Sequence, residues 1–151
     1  MSVKQSLKTL LARDLSRLFK EIENYKDETK LWIIAEDISN SGGNLCLHLI
    51  GNLSTYLAKE LGGFPYERDR PAEFSTKGLS KETLLTMLKA LSEKVEKTME
   101  SLTDEQLSAN YPDEVLGYPM TSEYFIIHLS GHLNYHLGQI NYHRRLLDTQ
   151  S

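Results

Sequence analysis

A chain of 151 residues, 40% hydrophobic and 25% charged, carries enough apolar material for one buried core without disulfides or a structural metal. With 17 basic and 21 acidic residues the net charge is −4, and the one basic cluster is the Arg144–Arg145 pair; a broad electrostatic footprint for nucleic acid is excluded. The single cysteine, Cys46, excludes an intrachain disulfide and fits a reducing compartment. The opening stretch "MSVKQSLKTLLARDLSRLF" is interrupted by charges every few residues, so it reads as neither a secretory leader nor a membrane span, and a cytoplasmic protein is expected.

Residues 2 to about 24 place Leu7, Leu10, Leu11, Leu15, Leu18, Phe19 and Ile22 at helical spacing, which predicts a long amphipathic helix. "NYKDETKLWII" reads as a connection ending in an apolar patch around Trp32. "NSGGN" breaks the chain and supplies caps for a second helix over about 43–61. Residues 62–78, with their prolines and glycines, read as a loop. Ser80 caps a third helix to about Leu102, and Thr103 with Gln106 has capping-box spacing for a short turn. "NYPDEVLGYPM" is a second loop, and the last helix starts after Thr121 or Ser122 and runs to about Leu147. No segment alternates in the manner of a strand. The expected fold is all-α, a four-helix bundle forming a single domain over 1–151.

Four of the five histidines fall in the last helix, in "HLSGHLNYHLGQINYH" (128–143). At about 100° per residue, His128, His132 and His136 step roughly 40° at a time across the apolar stripe of Phe125, Leu129, Leu133, Ile140 and Leu147. An imidazole turned into a core must find partners for two nitrogens, since an unsatisfied buried polar group costs about 1–3 kcal/mol. A divalent ion is one solution, and histidines at i and i+4 reach a common ion. Hydrogen bonds to carbonyls and water are another. The one remaining histidine, His48, lies mid-way along the second helix, where it can meet His132 and His136 if helices two and four are neighbours. Three imidazoles leave coordination positions open for water or substrate, as in catalytic rather than closed sites. Cys46, about 200° around the helix from His48, reads as a core residue.

Weaker candidates surround this set. Asn52 and Tyr56 share the His48 margin and could orient a ligand, or simply pack. Gln139 could hydrogen-bond a ligand histidine's second nitrogen. Arg68 or Arg70 of "RDRPAEF" could grip an anionic substrate, or form a salt-bridged loop anchored by Phe74. His143 reads as structural. Gly131 and Gly138 share a face with Tyr124, Tyr135 and Tyr142, which would pack either on the first helix or on a second subunit.

"HLNYHLGQI" (132–140), "NLCLHLIGNL" (44–53) and "RDRPAEF" (68–74) resemble the DinB-like superfamily of metal-binding four-helix bundles, over about residues 40–147. The resemblance implies His48, His132 and His136 as metal ligands, with His128 beside them in a supporting or structural role. It implies zinc or nickel, with iron or manganese as further options, and a homodimer. It includes thiol S-transferases that use bacillithiol, a mycothiol-dependent maleylpyruvate isomerase, and members known only as presumed hydrolases or stress proteins. A small-molecule substrate is thus expected, with no nucleic acid or membrane partner. Because no glutamate stands beside the paired histidines, with Glu123 more than two turns before His132, activation of a low-molecular-weight thiol is preferred over activation of water. A non-catalytic, metal-stapled dimer of stress-associated type, and a bundle with no metal at all, stay open at this point.

Overall fold

A computed structural model describes residues 1–149. Its long elements are α1 (Val3–Glu23), α2 (Gly42–Leu53, running on into a π-helical turn over Ser54–Lys59), α4 (Lys81–Ser101) and α6 (Ser122–Leu147). Two short helices, α3 (Arg70–Ser75) and α5 (Asp104–Ser108), lie in the connections. Hydroxyls begin each long helix: the side chains of Ser2, Ser41, Ser80 and Thr121 each accept from the backbone N–H three residues on.

Every residue of α2 is buried, which its nearly unbroken apolar run "LCLHLIGNL" requires. It runs antiparallel to α6, with Gly42 beside His143 and the Tyr56 ring 5.4 Å from Phe125 at the other end. That register sets His48 across from His132 and His136. α1 lies against α4 and along one side of α6, where Asp14 accepts from Asn134 (3.2 Å) and Glu21 accepts from Asn141 (2.7 Å) and Arg144 (2.8 Å).

The segment between residues 62 and 78 is not wholly loop. Asp69 caps α3 through the Ala72 N–H, and Pro71 stands in the first turn, where a missing N–H costs nothing. Asn44, buried in α2, donates to the carbonyls of Glu73 and Thr76 and so staples α3 onto the middle of the bundle. At Gly43 the Trp32 ring lies where a Cβ would stand, and the indole N–H donates to the Leu79 carbonyl (3.1 Å). No helix of the described residues is long and apolar enough to cross a membrane.

His143 has no part in the imidazole cluster. The Tyr25 hydroxyl donates to its Nδ1 (2.6 Å) and its Nε2–H donates to the Ile33 carbonyl (2.8 Å), which ties residues 33–40 to α6. Burial holds the His143 pKa below its ordinary value, opposed in part by the Ile33 bond. The unfolded chain, whose imidazole titrates near about 6.5, therefore binds a proton first as pH falls. Stability is lost as pH drops below that value, and the loss is complete only below the folded pKa. In chelator, the urea midpoint of the native chain should fall between pH 7 and pH 5, and His143→Gln should show a shallower fall.

Candidate metal centre

His48 on α2 and His132 and His136 on α6 are brought together, with one ring nitrogen from each within 4.8 Å of the other two. The ring centroids are 4.5–5.3 Å apart and the planes are nearly perpendicular, so the edges of the rings face a common point. His48 and His132 approach most closely, Nε2 to Nε2 at 3.2 Å. Two nitrogens on one tetrahedral ion, each about 2.0–2.1 Å from it, stand roughly 3.3 Å apart. The third ring, His136, is half-exposed, with its centroid 4.5 Å from that of His132 and 5.3 Å from that of His48.

The outer nitrogens decide which atoms are free. His48 Nδ1 lies 3.1 Å from Glu73 Oε1, and His136 Nδ1 lies 2.7 Å from Gln139 Oε1. Both partners are acceptors, which assigns the proton to Nδ1 in each ring and leaves Nε2 as a bare lone pair. His132 Nδ1 is buried without a hydrogen-bond partner among the described residues. Lone pairs turned toward one another, with an unsatisfied buried nitrogen among them, make a donor set that a divalent cation satisfies and a proton does poorly. Burial, with the imidazoles of His136 and His48, pushes the His132 pKa down to about 4; burial also lowers His48, against the raising effect of Glu73. The His48 and His132 rings are thus held neutral, the form that ligates.

Glu73 was invisible in the sequence reading, which found no glutamate beside the histidines. It sits on α3, 6% exposed, and accepts from Arg68 through both carboxylate oxygens (2.8 and 3.0 Å) as well as from His48. Burial works against the Arg68 cation, but the hydrogen bond and charge of Glu73, with Tyr56, together hold its pKa above the ordinary value. The carboxylate fixes the His48 ring in the orientation that points Nε2 inward. Gly51, one turn below His48, makes room for it, since a Cβ there would run into the carboxylate. The signal lay in "DRPAEF": a capping Asp69 and a first-turn Pro71 announce a helix, and Glu73 is the one acidic residue inside it.

The weaker candidates divide. Gln139 holds the outer nitrogen of His136. Asn52 lies one turn along α2 from His48, and its buried Oδ1 has no hydrogen-bond partner among the described residues. Tyr56 packs its ring on Phe125 and under Arg68, and its backbone carbonyl accepts from the Tyr111 hydroxyl. Arg70 lies over the Phe74 ring and Arg68 is bonded to Glu73, which is the salt-bridged arrangement of this segment. His128 stacks on Phe125, its ring centre 6.4 Å from that of His132, outside the convergent group. Beside His136 and Gln139 a cleft of about 660 Å³ opens, walled by Leu45, Tyr135, Tyr142 and residues 35–40. That volume is ordinary for a small-molecule site.

Residues 10–140 match the DinB superfamily. The chain belongs to the DinB superfamily. Among solved structures, a DinB-like protein from Bacillus cereus ATCC 10987 has a similar fold, with a TM-score of 0.66 at 19% identity, over 87% of this chain and 84% of that one. No curated protein matches. At that identity the structural likeness speaks for the fold, and the three imidazoles of this DinB member carry the chemical argument alone.

Proposed function

We propose that this DinB-superfamily protein is a divalent-metal enzyme whose ion is held by His48, His132 and His136, and that it activates a low-molecular-weight thiol for transfer to an electrophile. The observation that carries the reading is the convergence of three imidazoles beside an open cleft. Zinc or nickel suits the donor set best, with iron or manganese also accommodated by imidazole. A divalent ion bound there supplies Lewis-acid chemistry, lowering the pKa of a thiol or water that shares it.

The chain's own groups favour the thiol. Glu73, the one carboxylate hydrogen-bonded to the imidazoles among the described residues, is occupied by Arg68 and His48 and is not free to take a proton from water. A thiol, ordinarily near pKa 8.5, needs less help. Its S–H proton passes to solvent, the sulfur forms a bond to the electrophilic carbon, and the leaving group departs with its electron pair. Gln139 and Glu73 keep the ligand rings in register, while Leu45, Tyr135 and Tyr142 offer apolar walls for the acceptor.

The test is a screen of low-molecular-weight thiols against electrophilic acceptors, following loss of free thiol with the metal-loaded protein. Consumption that depends on the protein and disappears in His136→Ala is expected. Ester hydrolysis without any thiol consumption would move the assignment to a hydrolase, and turnover of neither would remove the enzymatic reading.

A further inference from the structure

We infer that Asn52 is a positioning residue of the metal centre: its carboxamide oxygen accepts the Nδ1 proton of His132 and holds that ring with Nε2 turned to the ion. The inference rests on the reading of His48, His132 and His136 as ligands. A ligand imidazole almost always donates its other N–H to an acceptor, which sets its tautomer and its orientation. Two of the three rings have such a partner, Glu73 behind His48 and Gln139 behind His136. His132 has none among the described residues, although its Nδ1 is buried.

The chemistry of the two side chains is complementary. His132 Nε2 stands 3.2 Å from His48 Nε2, so a neutral His132 that ligates through Nε2 carries its proton on Nδ1. Nδ1 is then a buried donor without an acceptor. Asn52, 7% exposed, presents the converse, a buried Oδ1 without a donor. Buried polar atoms are rarely left unpaired, and here an unpaired donor and an unpaired acceptor occur at one site.

Helix register sets them level. On α2, Asn52 follows His48 by one turn and precedes Tyr56 by one turn, on the same margin of the helix. His48 meets His132 and His136, while Tyr56 packs on Phe125. Because α2 and α6 run antiparallel, Asn52 stands abreast of the stretch of α6 that leads from Phe125 up to His132. Side chains lean toward the N-terminus of their own helix, which in an antiparallel pair turns these two toward one another. The buried Thr55 hydroxyl also lacks a partner among the described residues, but it adjoins Tyr56 at the Phe125 end, more than a turn from His132. Asn52 and His132 are not bonded to each other in this structure, and the proposed bond forms by rotation about their side-chain bonds. It gives His132 what Gln139 gives His136, an amide oxygen behind the ring, with no added charge.

Zinc competition titrations against a chromophoric chelator, on the full chain, test the assignment. Asn52→Leu should bind zinc about 10–100-fold more weakly than the native chain. Its metal-free urea midpoint should hold or rise, because an apolar side chain of similar size replaces a buried oxygen that has no donor. Asn52→Asp keeps an acceptor at the same reach and should restore most of the affinity. NMR of the zinc-loaded native protein should show a slowly exchanging Nδ1 proton on His132. In Asn52→Leu that signal should be lost to exchange while the His48 signal stays. An Asn52→Leu chain that binds zinc as the native one does overturns the inference alone. So does an equal loss of affinity in Asn52→Leu and Asn52→Asp with a fallen urea midpoint in both, which is the mark of a packing residue. A native chain that takes no zinc overturns the ligand reading beneath it as well.

Discussion

Replacing Glu73 with alanine should lower stability by about 3–5 kcal/mol, the usual cost of removing one member of a buried ion pair. Arg68 would keep its charge in a largely covered position with both hydrogen bonds gone, and His48 Nδ1 would lose its acceptor. For a chain of this size such a loss corresponds to a fall in melting temperature of very roughly 6–20 °C. Glu73→Gln separates the two duties. Its amide oxygen still accepts from His48 or from Arg68, so part of the stability returns. The ring is oriented less firmly, so metal affinity should fall about 10–100-fold, the usual effect of losing a carboxylate behind a ligand histidine. Gly51→Ala should resemble Glu73→Ala, because it expels the carboxylate without touching its chemistry. Urea melts and metal competition titrations, run on the same preparations, distinguish these outcomes.

His132→Ala is expected to do the reverse, abolishing metal binding while sparing the fold. His132 makes one contact with His48 and otherwise leaves Nδ1 buried and unsatisfied, so the metal-free chain loses little when the ring is removed. Affinity should drop by at least about 100-fold, beyond the upper range for an outer partner. His48→Ala removes a ligand too, but it also strips Glu73 of a hydrogen bond, so its metal-free form should be less stable than that of His132→Ala. If the two variants lost stability equally and metal not at all, the rings would be core residues only.

The histidine cluster was legible because a helix imposes its own arithmetic. Spacings of four put His132 and His136 on one margin of α6, and the apolar run around His48 marked α2 as central. Glu73 was not legible. It stands 25 residues beyond His48 in a stretch whose prolines and glycines read as loop, and only the packing of α3 on α2 through Asn44 brings it to the imidazole. Arg68 and Arg70 show the same limit from the other side. Both stand in one charged segment, and the backbone turn into α3 sends Arg68 to Glu73 and Arg70 onto Phe74. The Gly131–Gly138 face was visible as a face, but whether α1 covered it depended on which side of α6 α1 would choose, a question of helix order that periodicity does not answer.

The central claim is that three nitrogens on two helices share one divalent ion. Its most direct test is elemental analysis of the chain purified without an affinity tag, followed by calorimetric titration of zinc or nickel into protein first stripped with chelator. Near-stoichiometric metal per chain, with binding restored after stripping and absent in His132→Ala, is the predicted result. A protein that emerges without metal, and gives no heat of binding with any divalent ion of the transition series, would contradict the account.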